Sequence, residues 1–351
     1  MKKEFKLTLV ALALTALCGC SFESDVNTPD LPQGEAISFG NVSTRAVDKA
    51  SDIEEFSVWA TVSSVGSNTV SYLPLLGDED GGERVYRNPA GSNTWTYDNV
   101  QYWLPNSVFY FFAAYPYYLD FNMARAEMDG TYYTAYSLEV TADGSADTED
   151  ILIAENSTNT NVEGYNRIVP LSFSHLLTKI NLTISQNTDI DGEFEYYVTK
   201  VTITGLNGNG VYNVLPINEM FYKAWNMENS TPLTLSKNYE SDPVCLREPD
   251  GDGRKRKPLK VWCDDGVMLI PHEITQNGVQ IRVDYLYDLN PDDDDLGSPR
   301  FVEGYIPAIT WQSNTSINYN IAIANSNFIS FSQPTIVPWG SPQTGGTIII
   351  K

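Results

Sequence analysis

Imidazole is the side chain that moves protons near neutral pH, so the two histidines of the chain are the first candidates for catalysis. His175 sits in "LSFSHLLTK" on an alternating apolar run, the place of a packed core residue, and His272 follows Pro271 at the end of a strand-like run. No H-E-x-x-H, G-x-S-x-G or phosphate-loop string occurs, and neither Cys245 nor Cys263 has a histidine nearby in sequence. The glycines of "GLNGNGVYN" (Gly205, Gly208, Gly210) join two strand-like runs, whereas a dinucleotide site needs a helix next. Oxygen ligands gather in "NPDDDDLG" (Asp292 to Asp295) and "EPDGDGR" (Asp250, Asp252). Neither string has the glycine and distal glutamate spacing of an EF-hand loop, so both read as solvated turns. These strings predict no enzyme, no cofactor and no metal.

The thiols suggest different chemistry. In "MKKEFKLTLVALALTALCGC" a basic start (Lys2, Lys3, Lys6) precedes an apolar run, Leu7 to Leu17, that is too short to cross a bilayer. It ends on Leu17-Cys18-Gly19-Cys20, similar to a bacterial lipobox, in which the Cys20 thiol takes the lipid and residues 1–19 leave as a signal peptide. A plain secretory signal is the alternative. Cys245 and Cys263 then remain in an oxidising compartment, either as a candidate disulfide around "REPDGDGRKRKP" or as two free buried thiols. Such a bridge contributes about 3 kcal/mol if unstrained.

Charge narrows the partners. A formal net charge of −23, with 22 basic against 45 acidic residues, argues against nucleic acid, whose phosphates need clustered Lys and Arg. The one basic cluster, Arg254 to Lys257, lies among Gly and Pro and reads as a solvated loop. "WTYDNVQYW" (Trp95, Tyr97, Tyr102, Trp103) offers rings for stacking on sugars, which leaves a monomeric glycan-binding surface lipoprotein as the alternative function. In alternating strands, however, aromatics are more often core.

Short runs rich in Thr, Val, Ile and Tyr, separated by Gly, Asn, Pro and Asp, carry these residues, and no stretch sustains a helical period. The expected class is all-β, with two sandwiches in tandem. The expected organisation is a signal peptide over 1–19, a tether over 20–35, sandwich domains over 36–167 and 168–340, and a tail over 341–351. That tail reads "SPQTGGTIIIK". Its Thr347, Ile348, Ile349 and Ile350 form a strand that has to pair with something.

Several segments together resemble the fimbrillin family, the type V pilins: "ISFGNVSTRA", "FSVWA", "WTYDNVQYWLPNSVFYFFAAYP", "DILIA", "VPLSFSHLLTKINLTI" and "ITWQSNTSINYNIAI". The resemblance implies transthyretin-like sandwiches and a lipoprotein precursor held in the outer membrane by the lipid on Cys20. It also implies cleavage by a surface protease after Arg45, before Ala46, which removes the first strand with Ile37, Ser38 and Phe39. The vacated groove is then a template for Thr347 to Ile350 of another fimbrial subunit, a heterologous contact that repeats head to tail into a filament for adhesion.

Overall fold

The computed structural model describes residues 34–44, 53–65, 73–78, 80–119, 121–128, 131–145, 148–186, 194–250, 253–262, 266–289, 296–324 and 328–339. Cys20, Arg45, Ala46, Cys263, Asp292 to Asp295 and Thr347 to Ile350 lie outside them. The described residues form strands and no helix, as the composition predicts.

One sheet runs β1 (Ser38–Thr44), β10 (Ile168–His175), β9 (Leu152–Asn159), β6 (Ser107–Tyr115), β2 (Glu55–Ser64), β4 (Glu83–Arg87), β5 (Trp95–Thr96), with β3 (Leu73–Leu76) also on β2. Its central strands are buried on both faces, which is why "FSVWATV" and "VFYFFAA" read as nearly continuous apolar runs. Phe56, Val58, Ala60, Phe109 and Phe111 face one core. Trp59 and Phe112 face a second core, shared with a four-stranded sheet ordered β14 (Met220–Asn226), β13 (Asn209–Ile217), β8 (Thr131–Thr141), β7 (Asn122–Met128). Residue 167, the expected domain boundary, lies between β9 and β10, which pair with each other, and β13 pairs with β8.

The remaining strands build a sandwich. A six-stranded sheet runs β19 (Leu259–Lys260), β11 (Thr178–Gln186), β25 (Thr315–Ala324), β26 (Phe328–Phe331), with β20 (Val267–Leu269) on β11 and β27 (Thr335–Pro338) on β25. Packed against it is β15 (Pro232–Asn238), β12 (Glu195–Asn207), β22 (Gln280–Asp288), β23 (Ser298–Tyr305), with β16 (Val244–Cys245) on β12. Strict alternation places Ile180, Leu182 and Ile184 of β11 against Val198, Val201 and Ile203 of β12 in the shared core. Two small pairs complete the set: β17 (Arg247–Asp250) with β18 (Gly253–Arg256), and β21 (Glu273–Ile274) with β24 (Ile309–Thr310). The basic stretch expected as a loop is thus mostly the second arm of a hairpin, because Arg247 to Asp250 supply a strand partner. The glycine string behaves as a strand connection: Gly205 (φ +84°) sits at a bulge in β12, and a Cβ there would meet the Gly278 carbonyl oxygen at 2.0 Å.

Candidate assembly site

β1 is the seam of its sheet. On one side it runs parallel to β10, Ser38 opposite Ile168, Phe39 opposite Val169 and, after a bulge, Thr44 opposite Phe173. On the other side the sheet has curled until the segment after β5 reaches the start of β1, so two distant stretches of one sheet meet across a single strand. The Ile37 N–H donates to the Gln101 carbonyl at 2.8 Å, and the Trp103 N–H donates to the Glu35 carbonyl at 3.0 Å. The Tyr97 hydroxyl donates to the Ile37 carbonyl at 2.8 Å, and the Trp103 indole N–H donates to the Arg167 carbonyl at 3.3 Å. An exposed ion pair between Arg167 and Glu35 closes the outer edge.

Alternation divides β1 and the two residues before it, Ala36 and Ile37, into two faces. Ile37 and Phe39 point inward and are 2% and 5% exposed. The Phe39 ring sits edge-on to Tyr97, Phe111 and Phe56, with centroids 5.5, 5.9 and 6.4 Å away. Ala36 and Ser38 point outward and are exposed, and next on that face is Gly40, where an added Cβ would meet the Ile168 Cγ2 at 2.5 Å. Burying Ile37 and Phe39 is worth about 1.5 to 3 kcal/mol each. Burial also pushes the Tyr97 hydroxyl above its ordinary pKa, which keeps it a neutral donor.

Of the residues the sequence singled out, Ile37, Ser38 and Phe39 fall in this seam, and β1 ends at Thr44, one residue before Arg45. Cys245 is elsewhere, half-buried on β16 opposite Tyr197, its thiol pKa raised by burial. The sugar-stacking reading loses three of its four rings: Trp95, Tyr97 and Trp103 are in the core, and only Tyr102 is exposed. Tyr97 and Trp103 line the seam instead.

His175 is packed, as its alternating apolar run predicts, and His272, which the sequence places only at the end of a strand-like run, is half-buried. His272 has its Nδ1 2.8 Å from the Ile270 carbonyl oxygen and its ring edge-on to Trp311, and burial lowers its pKa. His175, 2% exposed, has its Nδ1 2.6 Å from the Asp150 Oδ1 and its ring stacked on Trp339 at 4.0 Å. Sequence reasoning missed Gln101 and Arg167 as closing partners, and no string carried that signal. Among the described residues, no cluster of three or more His, Cys, Asp or Glu is arranged to hold a metal ion.

The family model described as fimbrillin-like matches residues 44–339. Among solved structures, a fimbrial protein from Bacteroides vulgatus is similar at 14% identity and a TM-score of 0.49, over 86% of this chain and 99% of that one. The tip fimbrial protein Mfa3 from Porphyromonas gingivalis, C-terminally truncated, is similar at 11% identity and a TM-score of 0.34, over 82% of this chain and 95% of that one. No curated protein matches the chain.

Proposed function

The chain belongs to the fimbrillin-like family, and from that premise we propose that it is a polymerising fimbrial subunit, completed by a strand from its neighbour once β1 has been removed. Membership supports a fimbrial subunit at the cell surface with other fimbrial subunits as partners. The finer reading adds export as an outer-membrane lipoprotein on Cys20 and cleavage between Arg45 and Ala46. It adds donation of Thr347 to Ile350 to the next subunit, and adhesion as the outcome.

The observation that carries this reading is the seam. β1 closes a core with two buried side chains, yet it lies at the end of its sheet and is held on its far side by a few bonds to residues 97–103. Taking it away uncovers the pockets of Ile37 and Phe39 and the open edge of β10, a pairing template. The tail has matching chemistry: alternate isoleucines, Ile348 and Ile350, fill the two pockets while the backbone restores the ladder. Donor and acceptor are different surfaces, so the contact does not close on itself and repetition gives a filament. While β1 is in place the slot is blocked, which delays polymerisation until after export.

The test compares the chain from residue 20 onward, without lipid, before and after a low dose of trypsin, alongside Arg45→Ala. SDS-resistant, heat-labile ladders are expected only for the cut wild type. Monomer throughout, or ladders from the Arg45→Ala variant, contradicts the reading.

A further inference from the structure

The acceptor strand has an unequal set of partners. Ile168 to Phe173 of β10 pair with β1, and only Ser174 and His175 pair with β9. Among the described residues no other strand pairs with Ile168 to Phe173. Removing β1, a step that rests on the function proposed above, therefore strips most of β10 of its ladder while Val169, Leu171 and Phe173 still have to stay in the core. What then holds β10 in register is its far end.

That end is built around His175. Its N–H donates to the Asn314 Oδ1 at 3.2 Å, its Nδ1 meets Asp150, and the next residue, Leu176, donates its N–H to the Ile151 carbonyl at 2.8 Å. Among the described residues the buried His175 Nε2 has no hydrogen-bond partner, so the Asp150 bond and packing fix the ring. The packing partner is Trp339, stacked at 4.0 Å and 8° from parallel. Trp339 belongs to the C-terminal arm: it follows β27, which pairs with β25, and its N–H donates to the Asn314 carbonyl at 2.9 Å. Asn314 thus bonds both His175 and Trp339.

We infer that the His175–Trp339 stack anchors β10 when β1 is gone, and that it holds the C-terminal arm to its own subunit as far as Trp339. Only residues 340–351 are then free to be donated. Those twelve residues reach about 40 Å when extended. A subunit that gave up β27 as well would loosen the strand it must offer to its own donor, so the stack couples the two roles of one molecule.

A double-mutant cycle in the full chain tests this, with hydrogen exchange of the β10 amides as the readout: Phe39→Ala loosens β1, Trp339→Ala removes the stack. The combined variant should exchange at Ile168 to Phe173 about tenfold faster than the product of the two single effects. Trp339→Phe, which keeps a ring, should recover part of that coupling. Independent effects of the two substitutions overturn the inference. If the double variant does not fold, Phe39→Leu with Trp339→Leu, which still removes the ring, runs the same cycle at smaller amplitude, and additivity there overturns it equally. In assembled ladders, the amides of Thr335 to Trp339 should keep the protection they have in the monomer, and their loss of protection contradicts the limit at Trp339. Absence of ladders after trypsin would instead count against the proposed function and leaves the cycle readable.

Discussion

Among the described residues two pairs of strands run parallel, and they differ in the one respect that matters for exchange. β11 and β25 pair without interruption from Thr178 opposite Thr315 to Gln186 opposite Ile323. Each has further partners on its other edge: β19 and β20 on β11, β26 and β27 on β25. β1 and β10 pair over a shorter stretch broken by a bulge, and among the described residues the other edge is held by the Ala36–Tyr102 bridge just before β1 and nearby bonds. The buried side chains do not show this difference: Ile37 and Phe39 are nearly as covered as Ile317 and Ile321. A strand can be as deeply packed as any other and still be replaceable, because replaceability is set by how many edges hold it. Deep packing then makes the vacancy costly, and a substitute strand correspondingly favourable.

Substitutions sharpen this contrast, beginning with the largest effect. Phe39→Ala should destabilise the intact chain by about 3 to 5 kcal/mol, measured by denaturant unfolding, because three aromatic neighbours lose their partner. The same substitution should leave the ladder material unchanged in stability, since β1 is absent from it. Ile321→Ala, in the permanent pair, should cost about 2 to 5 kcal/mol in both forms. Equal behaviour of the two variants in intact and assembled protein would erase the distinction. Tyr97→Phe removes the bond donated to the Ile37 carbonyl and the one accepted from the Gln101 N–H, so it should cost about 1 to 3 kcal/mol while β1 is present and less once β1 is gone. The Glu35–Arg167 pair is exposed, so Glu35→Gln should change stability by less than about 1 kcal/mol and less still in high salt.

The parts of this account that were legible in the sequence are local. Alternation in "TKINLTISQ" and "QIRVDYLYD" marks strands with one buried face, and "AISFG" shows which two residues of the first strand point inward. Aromatic weight in "WTYDNVQYW" favours core over a sugar platform, and three of the four rings are core. Closure of the seam was not legible, because Gln101 and Trp103 reach residues 35–37 across more than sixty positions through backbone groups, which have no residue-type signature. The His175–Trp339 stack joins positions still further apart. The apolar run around His175 announced a packed residue but could not name what packs on it.

Mixing two disabled subunits tests strand exchange itself. One lacks residues 347–351 and is cut after Arg45, so it can only accept; the other carries Arg45→Ala with its tail intact, so it can only donate. Strand exchange predicts that each alone stays monomeric and that the mixture gives a dimer of one each that grows no further. No dimer in the mixture, or growth of either subunit alone, would contradict it.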